Sequence, residues 1–147
     1  MTQTDKKRVI IIDALNMFIR AYIVDPSLST NGDPIGGIKG TLKILQKLVR
    51  MTKPDEVVIV WDGPNGSMKR KSIDKNYKLG RKPLRLNRSA HNLTDNEIVH
   101  NKIWQQSRII DYLNEMPIIQ IMIPEVEADD VVSHVSALQH YDGWQKI

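Results

Sequence analysis

The chain contains no cysteine among its 147 residues. Disulfide bridges and thiolate metal sites are therefore excluded, and a reducing, intracellular setting is the natural expectation. The N-terminal segment has no long apolar stretch followed by a small-residue cleavage site, so we predict no signal peptide. No apolar run approaches the length of a membrane span. We expect a soluble, cytoplasmic chain without a membrane partner.

Several motif classes are also missing. The four histidines show no spacing that is typical of a zinc site, and no serine and histidine pattern indicates acyl transfer. The segment GPNGSMK, residues 63–69, does not meet the GxxxxGK[ST] spacing of a phosphate-binding loop. A single-metal phosphatase would need a nucleophile or a second acid close to Asp13, and the sequence shows neither.

Positive charge is concentrated in one stretch of the chain. Residues 67–90 carry nine lysines and arginines and one aspartate, a net charge of +8, so the rest of this +4 chain must sum to −4. A basic block of this kind indicates a polyanionic partner, with a solvated loop as the equally weighted alternative. Because the connection that carries the block is too long for a routine loop, we predict a functional insertion.

Three short runs rich in valine and isoleucine predict strands at Arg8–Asp13, Glu56–Asp62 and Pro117–Ile123. Their nearly continuous hydrophobicity is typical of parallel strands buried on both faces. Helical spacing follows over Ile35–Val49, and a capping box at Thr94 and Glu97 predicts another helix. A last helix is predicted from Glu127, with a buried face of Ala128, Val131, Val132, Val135 and Leu138. The alternation predicts one α/β domain over residues 1–147, with a mainly parallel sheet flanked by helices.

Acidic residues follow each predicted strand: Asp13, Asp62, Glu127, Asp129 and Asp130. Ligands of open α/β sheets bind outside the carboxyl ends of the strands. Turn formation or helix capping explains one or two such acids, but five at one edge would repel one another unless a cation lay among them. Hard divalent cations prefer oxygen ligands of this kind. We therefore favour a Mg²⁺ site that hydrolyses phosphodiesters, beside a basic block that binds a nucleic-acid backbone.

Four segments, in order, resemble the 5′-nuclease family: flap endonucleases and the 5′→3′ exonuclease domains of bacterial DNA polymerase I, including phage versions. The segments are IIDALNMFIRAY (11–22), VIVWDGP (58–64), RKSIDKNYKLGR (70–81) and PEVEADDVV (124–132). The E-A-D-D start of the last helix is the most specific of the four. The resemblance implies a PIN-like core with a basic helical arch inserted at about residues 67–97.

The resemblance also implies roles for individual residues. Two Mg²⁺ ions, with Mn²⁺ as an alternative, would be held by Asp13, Asp62, Glu127, Asp129 and Asp130. The implied catalytic residues are Lys78, at the scissile phosphate, and Arg81. The implied nucleic-acid contacts are Arg20, Arg70, Tyr77, Lys78, Arg81, Lys82, Arg85 and Arg88, although packing is an equally weighted role for Tyr77. The implied substrate is DNA with a 5′ single-strand flap or end, with RNA/DNA hybrids as a further expectation. The implied setting is replication or repair in a bacterial or phage-infected cell.

The sequence departs from the family pattern at its C-terminal end. Family members usually continue with a strand carrying another acidic pair and with a helix-hairpin-helix that grips duplex DNA, whereas this chain ends at YDGWQKI. We therefore expect a truncated chain whose exposed sheet edge serves self-association or pairing with a missing half. Two alternatives stay open. One is a structure-selective DNA-binding fragment that does not cleave, and the other is a PIN-type ribonuclease, although those enzymes do not normally carry the long basic insertion.

Overall fold

The computed structural model describes residues 6–63 and 93–147. In chain order they form β1 (Arg8–Asp13), α1 (Ala14–Val24), α2 (Gly36–Thr52), β2 (Glu56–Asp62), α3 (Asp95–Asn114), β3 (Ile119–Ile123), α4 (Ala128–Ser136), a 3₁₀ helix (Gln139–Tyr141) and β4 (Gln145–Lys146). The first two strands have the predicted bounds, and the capping box of Thr94 and Glu97 begins α3 as predicted. Within these described residues, no helix is both long enough and apolar enough to cross a bilayer.

The described strands form one parallel sheet in the order β3-β2-β1-β4, which confirms the predicted α/β class. β2 pairs with one side of β1, and β3 pairs with the outer side of β2. β4 then pairs with the other side of β1. The strand order therefore reverses between β1 and β4. In open α/β sheets such a reversal opens a crevice at the carboxyl ends of the strands, where ligands bind.

Packing divides the chain into two compact units. Among the described residues, the first unit comprises 6–14, 48–63 and 117–147, and it contains the sheet and α4. The second unit comprises 15–47 and 93–116, with α1, most of α2, and α3. The core of the first unit lies where α4 covers one face of the sheet; it contains Val9, Val58, Val60, Ala128, Val131, Val135 and Tyr141.

Two predictions about burial in the first unit are wrong. The third apolar run is not buried on both faces, because β3 is an edge strand in which Ile119, Met122 and Ile123 are each more than 40% exposed. Leu138 does not extend the buried face of α4, because that helix ends at Ser136 and the chain turns at Ala137, which leaves Leu138 38% exposed.

In the second unit, α2 buries a face made of small residues rather than its aliphatic stripe. A Cβ atom built on Gly40 would lie only 2.6 Å from the Cβ atom of Ala21, so glycine lets α2 approach α1 closely. Ile38 and Leu42 flank this contact and are half-buried, and Val49 is exposed. The buried residues of the helix are Gly36, Gly37, Gly40, Thr41 and Leu45.

Candidate metal centre

Asp13 and Asp62 lie at the carboxyl ends of neighbouring strands and on the same face of the sheet. Asp13 pairs with Val60, and Asp62 follows Val60 by two residues along β2. Because paired residues share a face and alternate residues of a strand return to it, the two aspartates point to one side. Val60 packs in the core beneath α4, so this is the side that α4 covers. The strand register thus brings together two predicted ligands that are about 50 residues apart in sequence.

Asp62 is joined directly to the start of α4. Its Oδ1 atom accepts a hydrogen bond of 2.7 Å from the backbone N–H of Ala128, the first residue of the helix. The first N–H groups of a helix have no partner inside the helix, so an oxygen acceptor there stabilises the helix start. Glu127, which occupies the N-cap position, makes no such side-chain bond within the described residues. The capping role that one expects of Glu127 is therefore taken by Asp62.

A tight turn connects β3 to α4 beside this contact. The N–H of Val126 donates to the carbonyl of Ile123 at 3.2 Å, and Glu125 has a φ of +65°. Proline at the second position and a positive φ at the third are typical of a type II turn, where glycine is the preferred third residue. Glu125 is not among the predicted metal ligands, and Pro124 is the sequence signal that could have indicated the turn.

The same turn is fastened to the end of β2 through Gly63. The N–H of Gly63 donates to the carbonyl of Val126 at 3.2 Å. A Cβ atom at position 63 would lie 1.9 Å from the carbonyl oxygen of Ile123, so only glycine allows this approach. Sequence reasoning missed the role of Gly63. The carboxyl ends of β2 and β3 are thus held at a fixed spacing where the acids gather.

The three acids of the E-A-D-D segment differ in their exposure. Glu127 is only 4% exposed, whereas Asp129 and Asp130 are exposed on the first turn of α4. The positive end of the helix dipole favours negative charge on that turn. A carboxylate that is almost fully buried is also where the charge of a cation would act most strongly, because water screens it little.

The donor set fits a hard divalent cation, although the side chains do not converge on one point. Every candidate ligand is a carboxylate, and such ions prefer oxygen ligands. Among residues 6–63 and 93–147, however, no three histidine, aspartate or glutamate side chains come close enough together to hold one ion. In Asp62, one of the two carboxylate oxygens already accepts the Ala128 N–H. The assignment of the five acids as metal ligands thus stays a prediction.

The predicted nucleic-acid contacts fall almost entirely outside the described part of the chain. Arg20 lies on α1 and is exposed to solvent. The remaining predicted contacts and catalytic residues lie outside the described residues: Arg70, Tyr77, Lys78, Arg81, Lys82, Arg85 and Arg88. In the sequence, the segment that carries them follows β2, which ends at Asp62.

Comparison with known proteins matches the chain to a family model and to individual relatives. The family model described as the 5′-3′ exonuclease, N-terminal resolvase-like domain matches residues 8–146. A 5′-3′ exonuclease of Buchnera aphidicola subsp. Schizaphis graminum is 28% identical over 139 residues, which cover 92% of this chain and 43% of that protein. The flap endonuclease Xni of Shewanella woodyi is 36% identical over 76 residues, 51% of this chain and 28% of that protein.

A solved structure shows the same fold at low sequence identity. It is the flap endonuclease D15 of bacteriophage T5, in a pseudo-enzyme-product complex with DNA and metal ions. The TM-score is 0.60 at 12% identity, and the match covers 93% of this chain and 46% of the phage protein. The chain therefore spans less than half the length of each of these three proteins.

Proposed function

Because the chain belongs to the family of the 5′-3′ exonuclease N-terminal, resolvase-like domain, we propose that it forms the catalytic part of a divalent-metal-dependent nuclease. The reaction is hydrolysis of phosphodiester bonds near a junction between single-stranded and duplex DNA. RNA/DNA hybrids are a further proposed substrate, and the proposed setting is replication or repair. The T5 flap endonuclease, which shares the fold, was solved with both DNA and metal ions.

The observation that carries the proposal is the position of the acids. Asp13 and Asp62 share one face of the sheet, and Glu127 begins the helix that covers this face. All three lie at or just after the carboxyl ends of described strands, and Asp13 ends β1, which borders the reversal of strand order. The basic stretch 67–90 begins five positions after Asp62 in the sequence, so the chain supplies phosphate-binding charge soon after a candidate ligand.

Each residue has a defined role in this proposal. Asp13, Asp62 and Glu127, together with the exposed Asp129 and Asp130, would hold divalent cations, with Mg²⁺ as the proposed ion and Mn²⁺ as a substitute. A bound cation of this class supplies an activated water and neutralises charge on the phosphate. Lys78 and Arg81 would bind and orient the scissile phosphate. The other basic residues would bind the backbone of the nucleic acid.

The test is cleavage of an end-labelled 5′-flap DNA by the 147-residue chain in Mg²⁺. The chosen variant is Asp129→Asn, because Asp129 is exposed and its replacement should leave the fold intact. The matched control is Asp142→Asn, another exposed aspartate, at the end of the 3₁₀ helix. We expect cleavage by the wild type and the control, and no product from Asp129→Asn. Cleavage by Asp129→Asn at the wild-type rate would contradict the assigned site.

A second candidate function is binding of structured DNA without cleavage. One observation favours it: no three acidic or histidine side chains of the described residues converge on one point. It predicts that the wild type binds the flap substrate in fluorescence anisotropy but yields no product at any Mg²⁺ or Mn²⁺ concentration. Measured on the same samples, binding and cleavage distinguish the two functions.

A further inference from the structure

One face of α3 lines a cavity with polar and aromatic side chains. The residues at helical spacing i, i+3, i+4 and i+7 on this face are Glu97, His100, Asn101 and Trp104. The cavity lies between them and the loop that precedes α2, and its volume is about 360 Å³. Every described lining residue belongs to the second unit. This volume is within the range of small-molecule sites.

Hydrogen bonds hold the loop wall of this cavity against α3. The Asn101 amide donates to the carbonyl of Pro34 at 3.0 Å, and its Oδ1 atom accepts from Nε2 of Gln105 at 2.7 Å. Within the loop, the N–H of Ser29 donates to the carbonyl of Asp33 at 2.8 Å, and the N–H of Asp33 donates to the Ser29 hydroxyl at 3.1 Å. Because the walls are already fixed, a ligand would pay little free energy for ordering them.

The cavity carries negative charge. Asp33 and Glu97 both line it, and none of the described lining residues is a lysine or an arginine. Within the described part of the chain, the Asp33 carboxylate accepts no hydrogen bond. Oε1 of Glu97 accepts hydrogen bonds from Thr94, which leaves Oε2 for a ligand. Anionic ligands such as phosphates would be repelled here, so the cavity favours a cation.

The lining suits an organic cation better than a metal ion. A hard divalent cation takes about six oxygen ligands in defined geometry, and the two carboxylates do not converge with His100 on one point. Ammonium groups joined by an alkyl chain can instead reach acceptors that lie apart. Trp104 is 39% exposed, and the face of an indole ring attracts cations. Half-buried Leu93 adds apolar surface along which an alkyl chain can lie.

We propose that this cavity binds a polyamine. One ammonium group binds the Asp33 carboxylate, a second binds Oε2 of Glu97, and the alkyl chain lies on the Trp104 ring. All five candidate metal ligands belong to the first unit, whereas this site belongs to the second. The polyamine site therefore does not rest on the proposed nuclease function, and a chain that fails to cleave DNA can still bind a polyamine.

The indole N–H signal of Trp104 in nuclear magnetic resonance spectra tests binding at this site. The chain has three tryptophans, and the spectrum of Trp104→Leu identifies the signal that belongs to position 104. We expect spermidine, titrated in a low-salt buffer without DNA, to shift this signal to saturation while the signals of Trp61 and Trp144 stay in place. MgCl₂ at the same ionic strength should leave the Trp104 signal unshifted, because Mg²⁺ has no alkyl chain to lie on the ring.

One variant and one smaller ligand test the role of the separated charges. Asp33→Asn should weaken spermidine binding roughly two- to fivefold, as expected for one exposed ion pair. Asp111→Asn, at an exposed position of α3 outside the cavity, is the matched control and should leave the affinity unchanged. Nα-acetyl-lysine amide carries a single ammonium group and should bind more weakly than spermidine by a similar factor. Circular dichroism checks that both variants fold.

Four results would overturn the proposal. They are an unshifted Trp104 signal with spermidine, an equal shift with MgCl₂, equal weakening by Asp33→Asn and Asp111→Asn, and equal affinity for spermidine and Nα-acetyl-lysine amide. The last result would mean that the cavity takes a single ammonium group, such as that of a lysine side chain on another protein.

Discussion

At the scale of single residues, the Oδ1 atom of Asp62 accepts the Ala128 N–H at 2.7 Å while the same carboxylate is a candidate metal ligand. An alanine substitution would remove both roles at once. An asparagine side chain has the same length and still provides an oxygen acceptor, but it carries no charge. The two roles can therefore be separated experimentally.

We predict that Asp62→Asn keeps the thermal stability of the wild type but loses divalent-ion affinity. Asp62→Ala should lose the affinity and also about 1 kcal/mol of unfolding free energy, the usual cost of removing an acceptor at a helix start. Thermal melting and titration calorimetry with Mn²⁺ check this, with Asp142→Asn as the control. If Asp62→Asn bound Mn²⁺ as tightly as the wild type, Asp62 would not be a metal ligand. Its only role would then be to accept the hydrogen bond at the start of α4.

Glu125 holds a left-handed backbone conformation, with a φ of +65°. That conformation costs an ordinary residue about 1–2 kcal/mol, and glycine adopts it without this strain. We predict that Glu125→Gly raises the unfolding free energy by about 0.5–1 kcal/mol in urea melts. The same substitution at Glu115, where φ is −82°, should lower it. Glu125→Gln keeps the strained backbone conformation but removes the charge. A gain of stability in that variant would mean that the charge of Glu125, rather than its backbone conformation, destabilises the protein.

The sequence allows the identities of the acids to be predicted, but not their arrangement. Asp13 and Asp62 can be recognised because each ends a short run of valine and isoleucine. Whether they point to the same face depends on how β1 and β2 are aligned. The two strands lie about 50 residues apart, and the local sequence pattern does not encode their register. The hydrogen bond that fixes Asp62 depends on a third segment, the start of α4.

At the scale of elements, a buried glutamine connects two helices of the second unit. Gln105 of α3 is fully buried, and its Oε1 atom accepts the N–H of Ile38, in the first turn of α2, at 3.0 Å. Its Nε2 atom donates to Asn101, whose own amide donates to the carbonyl of Pro34. Glutamine in a helix is ordinarily a surface residue, so sequence pattern gives no indication of this role.

We predict that Gln105→Leu lowers the unfolding free energy by about 2–3 kcal/mol. The leucine has a similar size, but it leaves the partly buried Ile38 N–H without its acceptor, and an unsatisfied group of this kind costs about 1–3 kcal/mol. Chemical denaturation measures the change. Gln46→Leu, at an exposed position of α2, is the matched control and should change stability little. Equal effects at the two positions would show that the hydrogen bond contributes nothing.

The 3₁₀ helix is tied to β2 by a buried tyrosine. The Tyr141 hydroxyl donates to Oε2 of Glu56 at 2.8 Å, and burial together with this carboxylate raises the pKa of Tyr141 to about 12. The folded state therefore binds the phenolic proton more tightly than the unfolded state, whose tyrosine pKa is about 10. The resulting stabilisation is present below pH 10 and is lost as the pH rises towards 12.

We predict that replacing Tyr141 removes this alkaline loss of stability. The wild type should lose roughly 2 kcal/mol of unfolding free energy between pH 10 and 12 from this group alone, and the loss in Tyr141→Phe should be smaller by that amount. Thermal melts at a series of pH values measure the difference. Tyr112→Phe, at an exposed tyrosine, should follow the wild type. A Tyr141→Phe curve parallel to that of the wild type would contradict the assignment.

At the scale of the whole molecule, the charge is unevenly distributed: the basic stretch 67–90 carries +8 in a chain of net charge +4. If about six of these cations neutralise phosphates, DNA affinity should fall roughly 10³-fold between about 50 and 200 mM salt. Replacing Lys82, Arg85 and Arg88 by glutamine should reduce the logarithmic salt slope by about 3. The same change at Lys43, Lys47 and Arg50, exposed on α2, is the control. A flat salt response of the wild type would exclude the stretch as the contact surface.

The strand order also sets when β1 can gain its second neighbour during synthesis. During synthesis β2 emerges before β4 and can pair with β1 first. The other neighbour of β1 is β4, whose Gln145 lies 137 positions after its partner Arg8. Contacts between such distant segments form slowly, and an edge left open meanwhile is exposed to mispairing. β1 has no described neighbour on this side until residues 145–147 have joined it. The pairing of β1 with β4 is therefore the last of the described strand pairings to form.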